Sequence, residues 1–134
     1  MTKRERLVQE ARSWIGTPYQ HNQRCKGVAV DCAQLLVGVA YNVGVLNDED
    51  IRNIPVYTRE QHLHSREERL LGILEEMGCI QVPTGKNKPG DIICFRYGRV
   101  NSHLGIMSGD AMLIHASMDI KQVIEVPLTG ELAL

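Results

Sequence analysis

The sequence predicts an α+β domain, with helices first and then a meander of antiparallel strands packed on them. Two observations carry this. In the first part of the chain apolar residues recur at helical spacing between capping residues and glycine stops. After Gly78 the period changes to alternation, with short turn-like links between the alternating runs. Runs of helix followed by runs of strand argue for α+β architecture rather than α/β. With 134 residues the chain suits one domain around one core, spanning 1–134.

The elements follow in order. Thr2 and Glu5 form a capping-box pattern that opens a helix running to Ile15, with Leu7, Ala11 and Trp14/Ile15 on one stripe and Gly16-Thr17-Pro18 as its stop. A polar loop, Tyr19 to Gly27, leads to the apolar run Val28-Ala29-Val30. The second helix is expected from Cys32 to about Val43, with Asp31 as N-cap and Gly44 beyond its end. Leu35, Leu36, Val39, Ala40 and Val43 make it apolar on more than one side, the mark of a central helix. Gly38 in its middle predicts a close packing contact.

Asn47 to His64, with its acidic run Asp48-Glu49-Asp50 and Pro55, reads as a loop, either a lid over a cleft or a surface connector. Ser65 with Glu68 opens a third helix through Met77, closed by Gly78. Short strands are then expected at Cys79–Val82, Ile92–Tyr97, His103–Met107, Ala111–Ala116 and Gln122–Val126, with a turn at Lys88-Pro89-Gly90-Asp91.

Composition excludes several functions. A formal net charge of −1 argues against a general nucleic-acid or polybasic membrane mode, so neither is expected as a partner. No run approaches the roughly 18 to 20 apolar residues of a membrane span. No apolar segment follows Met1-Thr2-Lys3-Arg4, so no secretory signal is read and the chain is expected to be made in the cytosol. There Cys25, Cys32, Cys79 and Cys94 are expected to be reduced.

The chemistry centres on Cys32. A thiol in the first position of a helix meets unpaired backbone N–H groups and the positive end of the helix dipole, which favour the thiolate. Such a nucleophile needs a base and a group that orients the base. Of the five histidines, His103 and His115 fall on predicted neighbouring strands joined by Ser108-Gly109-Asp110. A three-residue loop would pair Met107 with Ala111 and set His103 directly opposite His115. A two-residue loop would put the two rings on opposite sides of the sheet. The catalytic reading requires the first register. Zinc binding is the rival from residue types alone, but there is no Cys-x-x-Cys and no His-Glu-x-x-His, and His62-x-His64 sits in a polar stretch. No metal or other cofactor is expected.

Four segments in order resemble the NlpC-type cysteine peptidases, papain-like enzymes that cut peptides of bacterial cell-wall murein. They are Trp14-Ile15-Gly16-Thr17-Pro18-Tyr19, Val30-Asp31-Cys32-Ala33, Lys88-Pro89-Gly90-Asp91-Ile92-Ile93-Cys94-Phe95, and Ser102-His103-Leu104-Gly105-Ile106-Met107 with Leu113-Ile114-His115-Ala116. The resemblance implies a papain-like fold, with the nucleophile helix packed on a C-terminal antiparallel sheet. It implies Cys32 as nucleophile, His103 as general base, His115 as its orienting residue and Tyr19 at the oxyanion and substrate site. The implied partners are peptidoglycan stem peptides. Compact stand-alone members of this kind are associated with phage or phage-like tails, which implies tail proteins as further partners and a particle as the carrier. The chain departs from the family pattern in the loop after Tyr19, where Gln20-His21-Asn22-Gln23-Arg24-Cys25-Lys26-Gly27 stands in place of the frequent Gly-Gly, and at Ala33 after the nucleophile. Two other readings stay open: another amidase or acyltransferase with the same triad, and a structural tail component with a vestigial site.

Overall fold

The computed structural model describes residues 1–53, 75, 86–97, 100–109 and 111–128. Helix α1 spans Lys3–Arg12 and α2 Cys32–Asn42, with a hairpin of two two-residue strands, β1 (Arg24–Cys25) and β2 (Ala29–Val30), between them. A short α3 covers Asp48–Arg52, and strands β3 (Ile92–Tyr97), β4 (Val100–Gly109), β5 (Met112–Ser117) and β6 (Gln122–Pro127) complete the described chain. The last four form one antiparallel sheet in the order β3-β4-β5-β6. Helices packed on an antiparallel sheet are the α+β arrangement the sequence predicts.

Helix α1 begins as expected: the Thr2 hydroxyl accepts the Glu5 N–H while Glu5 accepts the Thr2 N–H. It ends three residues earlier than expected, at Arg12. Trp14, Ile15 and Thr17 donate to carbonyls three residues back, a tighter winding that carries the chain out of the helix. Trp14 stays in the core while Ile15 is exposed. The loop expected over 19–27 contains β1, a strand too short to show alternation. The acidic run at 48–50 is the first turn of α3, capped by Asn47, where carboxylates favour the helix dipole. Of the helix expected over 65–77, only residue 75 is described, and it is helical. The strand expected at 79–82 and the residues 54–64 lie outside the described residues, as do His62, His64 and Cys79.

The core joins the two layers. Ala11 and Trp14 from the N-terminal segment, Leu35, Leu36 and Val39 from α2, and Leu104, Ile106, Ile114, Ala116 and Val123 from the sheet form one buried cluster. Trp14 packs against α2 at Gly38, where an added Cβ would come within 2.6 Å of the indole. The close contact expected at Gly38 is this one. A polar network holds the same corner. Glu10 accepts from the Trp14 Nε1–H at 2.8 Å, from Asn42 Nδ2 at 3.0 Å, and from Lys26 Nζ at 2.6 Å. Burial pushes the Glu10 pKa up, but these donors outweigh it and hold the carboxyl below its ordinary value.

The Lys88–Asp91 turn docks α1 onto the sheet. Asp91 accepts the Lys88 N–H and pairs with Arg4 at 2.6 Å. Gly90 adopts φ +92°, and its N–H reaches the Met107 carbonyl. A side chain there would be strained and would press on Arg4.

Candidate active site

Two short extended segments meet at the start of α2. Pro18 bridges Gln122 on the β6 edge, and Tyr19 bridges Val30 in parallel. The Tyr19 N–H donates to the Lys121 carbonyl, the Gln20 N–H to Val30 and the Val30 N–H to Pro18. The strap 18–20 therefore lies between the sheet edge and β2, and half-buried Tyr19 runs alongside the residues that lead into α2.

Asp31 ends that segment and caps α2. Its backbone is extended, and its Oδ1 accepts the Gln34 N–H at 2.8 Å, so Cys32 occupies the first helical position. Its Oδ2 accepts the Asn22 N–H at 2.7 Å, and the same oxygen lies 3.9 Å from His21 Nδ1. Cys32 is wholly buried but is not a member of the main core cluster. Its sulfur thus stands at the point where the helix dipole favours a negative charge.

The histidines come from β4 and β5, and here the expected register needs correction. Met107 pairs with Leu113, not Ala111, and Ile106 with Ile114. A bulge between Met107 and Gly109 lets Gly109 pair with Met112, while Ala111 takes φ +54° in the turn. Extra length in the turn moves the two histidines out of direct opposition by two positions. A shift of two preserves the face, whereas a shift of one would have separated them. The rings meet diagonally, with His103 Nε2 2.9 Å from His115 Nδ1 and the planes at 90°. Both residues alternate with the core residues Leu104, Ile106, Ile114 and Ala116, and both are buried, at 0% and 1% exposure.

Burial has an electrostatic consequence. It lowers the His115 pKa to about 4, so this ring is neutral at neutral pH. A neutral imidazole offers one donor and one acceptor, so the 2.9 Å contact holds a single shared hydrogen. The structure thus joins His103 to His115 and sets Tyr19 beside Val30, in the segment that leads into Cys32. Helix α2 packs across β4 and β5.

Sequence reading missed the second role of Asp31. A cap residue is legible from its type, but its contact with Asn22 depends on that residue's left-handed backbone, φ +60°, for which asparagine type is only a weak signal. For metals, no group of three or more His, Cys, Asp or Glu side chains suited to hold an ion occurs among the described residues.

Comparison with known proteins matches residues 16–132 to the model of the NlpC/P60 family. Among solved structures the chain is similar to the NlpC/p60 domain of the peptidoglycan hydrolase SagA, with a TM-score of 0.65 and 20% identity over 96% of this chain and 93% of that one. It is similar to NlpC2 from Trichomonas vaginalis, with a TM-score of 0.64 and 20% identity over 96% of this chain and 42% of that one. It is also similar to the peptidoglycan hydrolase RipB from Mycobacterium tuberculosis, with a TM-score of 0.58 and 21% identity over 98% of this chain and 61% of that one. At such identities the likeness is one of fold. No curated protein matches.

Proposed function

The chain belongs to the NlpC/P60 family, and on that premise we propose that it is a cysteine peptidase that hydrolyses amide bonds in peptidoglycan stem peptides. The observation that carries the reading is the buried contact between His103 and His115, because a neutral His115 that accepts from His103 Nε2 fixes the ring and the tautomer of the base.

In this mechanism the His103 Nε2–H donates to His115 Nδ1. That leaves His103 Nδ1 to take the proton of the Cys32 thiol. The thiolate attacks the amide carbonyl and the oxyanion forms near the start of α2, where backbone N–H groups and Tyr19 stabilise it. His103 then gives its proton to the leaving amine as the C–N bond breaks, which leaves an acyl thioester on Cys32. Water, deprotonated by His103, attacks the thioester and releases the carboxylic acid and the thiol. His115 does not change protonation. Its role is to hold the His103 ring in one orientation and to accept a stronger hydrogen bond when that ring becomes cationic.

Product identification tests the reading. Digestion of purified murein is expected to create new amine and carboxyl termini inside the stem peptide, read by mass spectrometry of the released fragments. Products cut only in the glycan, or only at an ester, would contradict it. We place the enzyme in a phage or phage-like tail on the resemblance alone, and detection of the chain in purified tail particles tests that setting.

A further inference from the structure

We propose that Asp31 is a positioning residue that locks the Tyr19–Asn22 loop to the first turn of α2, so that Tyr19 and Cys32 move as one unit. The proposal rests on the reading of Cys32 and Tyr19 given above. Its grounds are the two oxygens of one buried carboxylate. Oδ1 accepts the Gln34 N–H at 2.8 Å and sets the helix start, and Oδ2 accepts the Asn22 N–H at 2.7 Å and sets the loop. His21 Nδ1, 3.9 Å from Oδ2, adds a charge attraction whenever that ring is protonated. The loop is held at its other end by the Tyr19 N–H on Lys121 and the Gln20 N–H on Val30. Tyr19 and Gln20 are thus held to the sheet edge and to β2, and Asp31 adds a tie from Asn22, at the far end of this stretch, to the first turn of the helix.

A helix cap alone needs one acceptor, which Asn or Ser provides about as well as Asp. In Asp31 the two backbone donors fall on different oxygens, and a carboxamide puts an NH2 donor in place of one of them while a hydroxyl leaves that position empty. Asp31→Asn and Asp31→Ser are thus expected to keep the helix and to release the loop.

The test combines amide hydrogen exchange by NMR with kinetics on a soluble muropeptide that carries the stem peptide. In both variants the Asn22 amide is expected to exchange at least tenfold faster than in wild type, with Gln34 within about threefold. The kcat is expected to fall at least tenfold, with KM within about twofold, because the loop positions the reacting groups rather than the rest of the substrate. Unchanged exchange at Asn22 would overturn the proposal, as would faster exchange there with kcat unchanged. If wild type cuts no murein peptide, the reading of the site fails, while the exchange at Asn22 and Gln34 still decides whether Asp31 joins loop to helix.

Discussion

His103 Nε2 and His115 Nδ1 lie 2.9 Å apart across β4 and β5, although the strand register offsets the two residues from direct opposition. Diagonal partners on one face of an antiparallel pair are within reach of side chains as long as imidazole. In the proposed mechanism this contact sets which nitrogen of His103 acts as base. His115→Ala is expected to lower kcat by about a hundredfold or more, the scale of losing a positioned acid–base group. His115→Asn, whose carboxamide oxygen accepts in place of Nδ1, is expected to recover a substantial part of it. Steady-state kinetics on a muropeptide check both.

The neutral state of His115 makes stability depend on pH with a definite sign. Its pKa falls from 6.5 to about 4 on folding, so between those values the unfolded chain binds the extra proton. Stability is therefore fully present above pH 6.5 and declines as pH falls toward 4, by about 3 kcal/mol for this group. Glu10, Asp91 and Glu125, whose pKa values folding lowers, also stabilise less in acid. The difference between wild type and His115→Asn cancels their share. Urea denaturation from pH 4 to 7.5 is expected to show a shallower acid decline for the variant.

Gly38→Ala is expected to destabilise the protein by about 1–2 kcal/mol. The new Cβ would fall 2.6 Å from Trp14 Cζ2 and 2.7 Å from Cη2, and overpacking of a buried ring costs about 1–3 kcal/mol. The gain of about 1 kcal/mol from replacing a mid-helix glycine offsets part of it. Trp14 is the single tryptophan, so its fluorescence reports both the unfolding midpoint and the local shift.

Glu10→Ala removes the acceptor shared by Trp14, Asn42 and Lys26 and is expected to cost about 1–3 kcal/mol, since the indole N–H of buried Trp14 loses its acceptor. Chemical denaturation measures it. Activity should fall less than for His115→Ala, because this network braces α1 against α2 and does not touch the histidines.

Much of the fold was legible because each signal was local. The Thr2/Glu5 capping box, the Asp31 cap, Gly44 beyond α2 and the alternation in β3 to β6 are all fixed by residues within a few positions of one another. What was not legible depended on distant partners. Helix α1 ends at Arg12 because Trp14 turns in to pack on Gly38. The β4–β5 register depends on a bulge at Met107–Gly109, which residue types in the turn do not specify. The histidine pair was still found, because two registers that differ by two residues put the same side chains on the same face. The second bond of Asp31 was missed because only the folded loop brings the Asn22 N–H to it.

The central claim is that Cys32 performs the chemistry, and the most direct measurement is kcat/KM for a soluble muropeptide with wild type and with Cys32→Ala. Both are first shown by circular dichroism to share one fold. The account predicts a fall of at least about ten-thousandfold, the scale seen when a nucleophile is removed from a triad. Activity in Cys32→Ala within tenfold of wild type would contradict it.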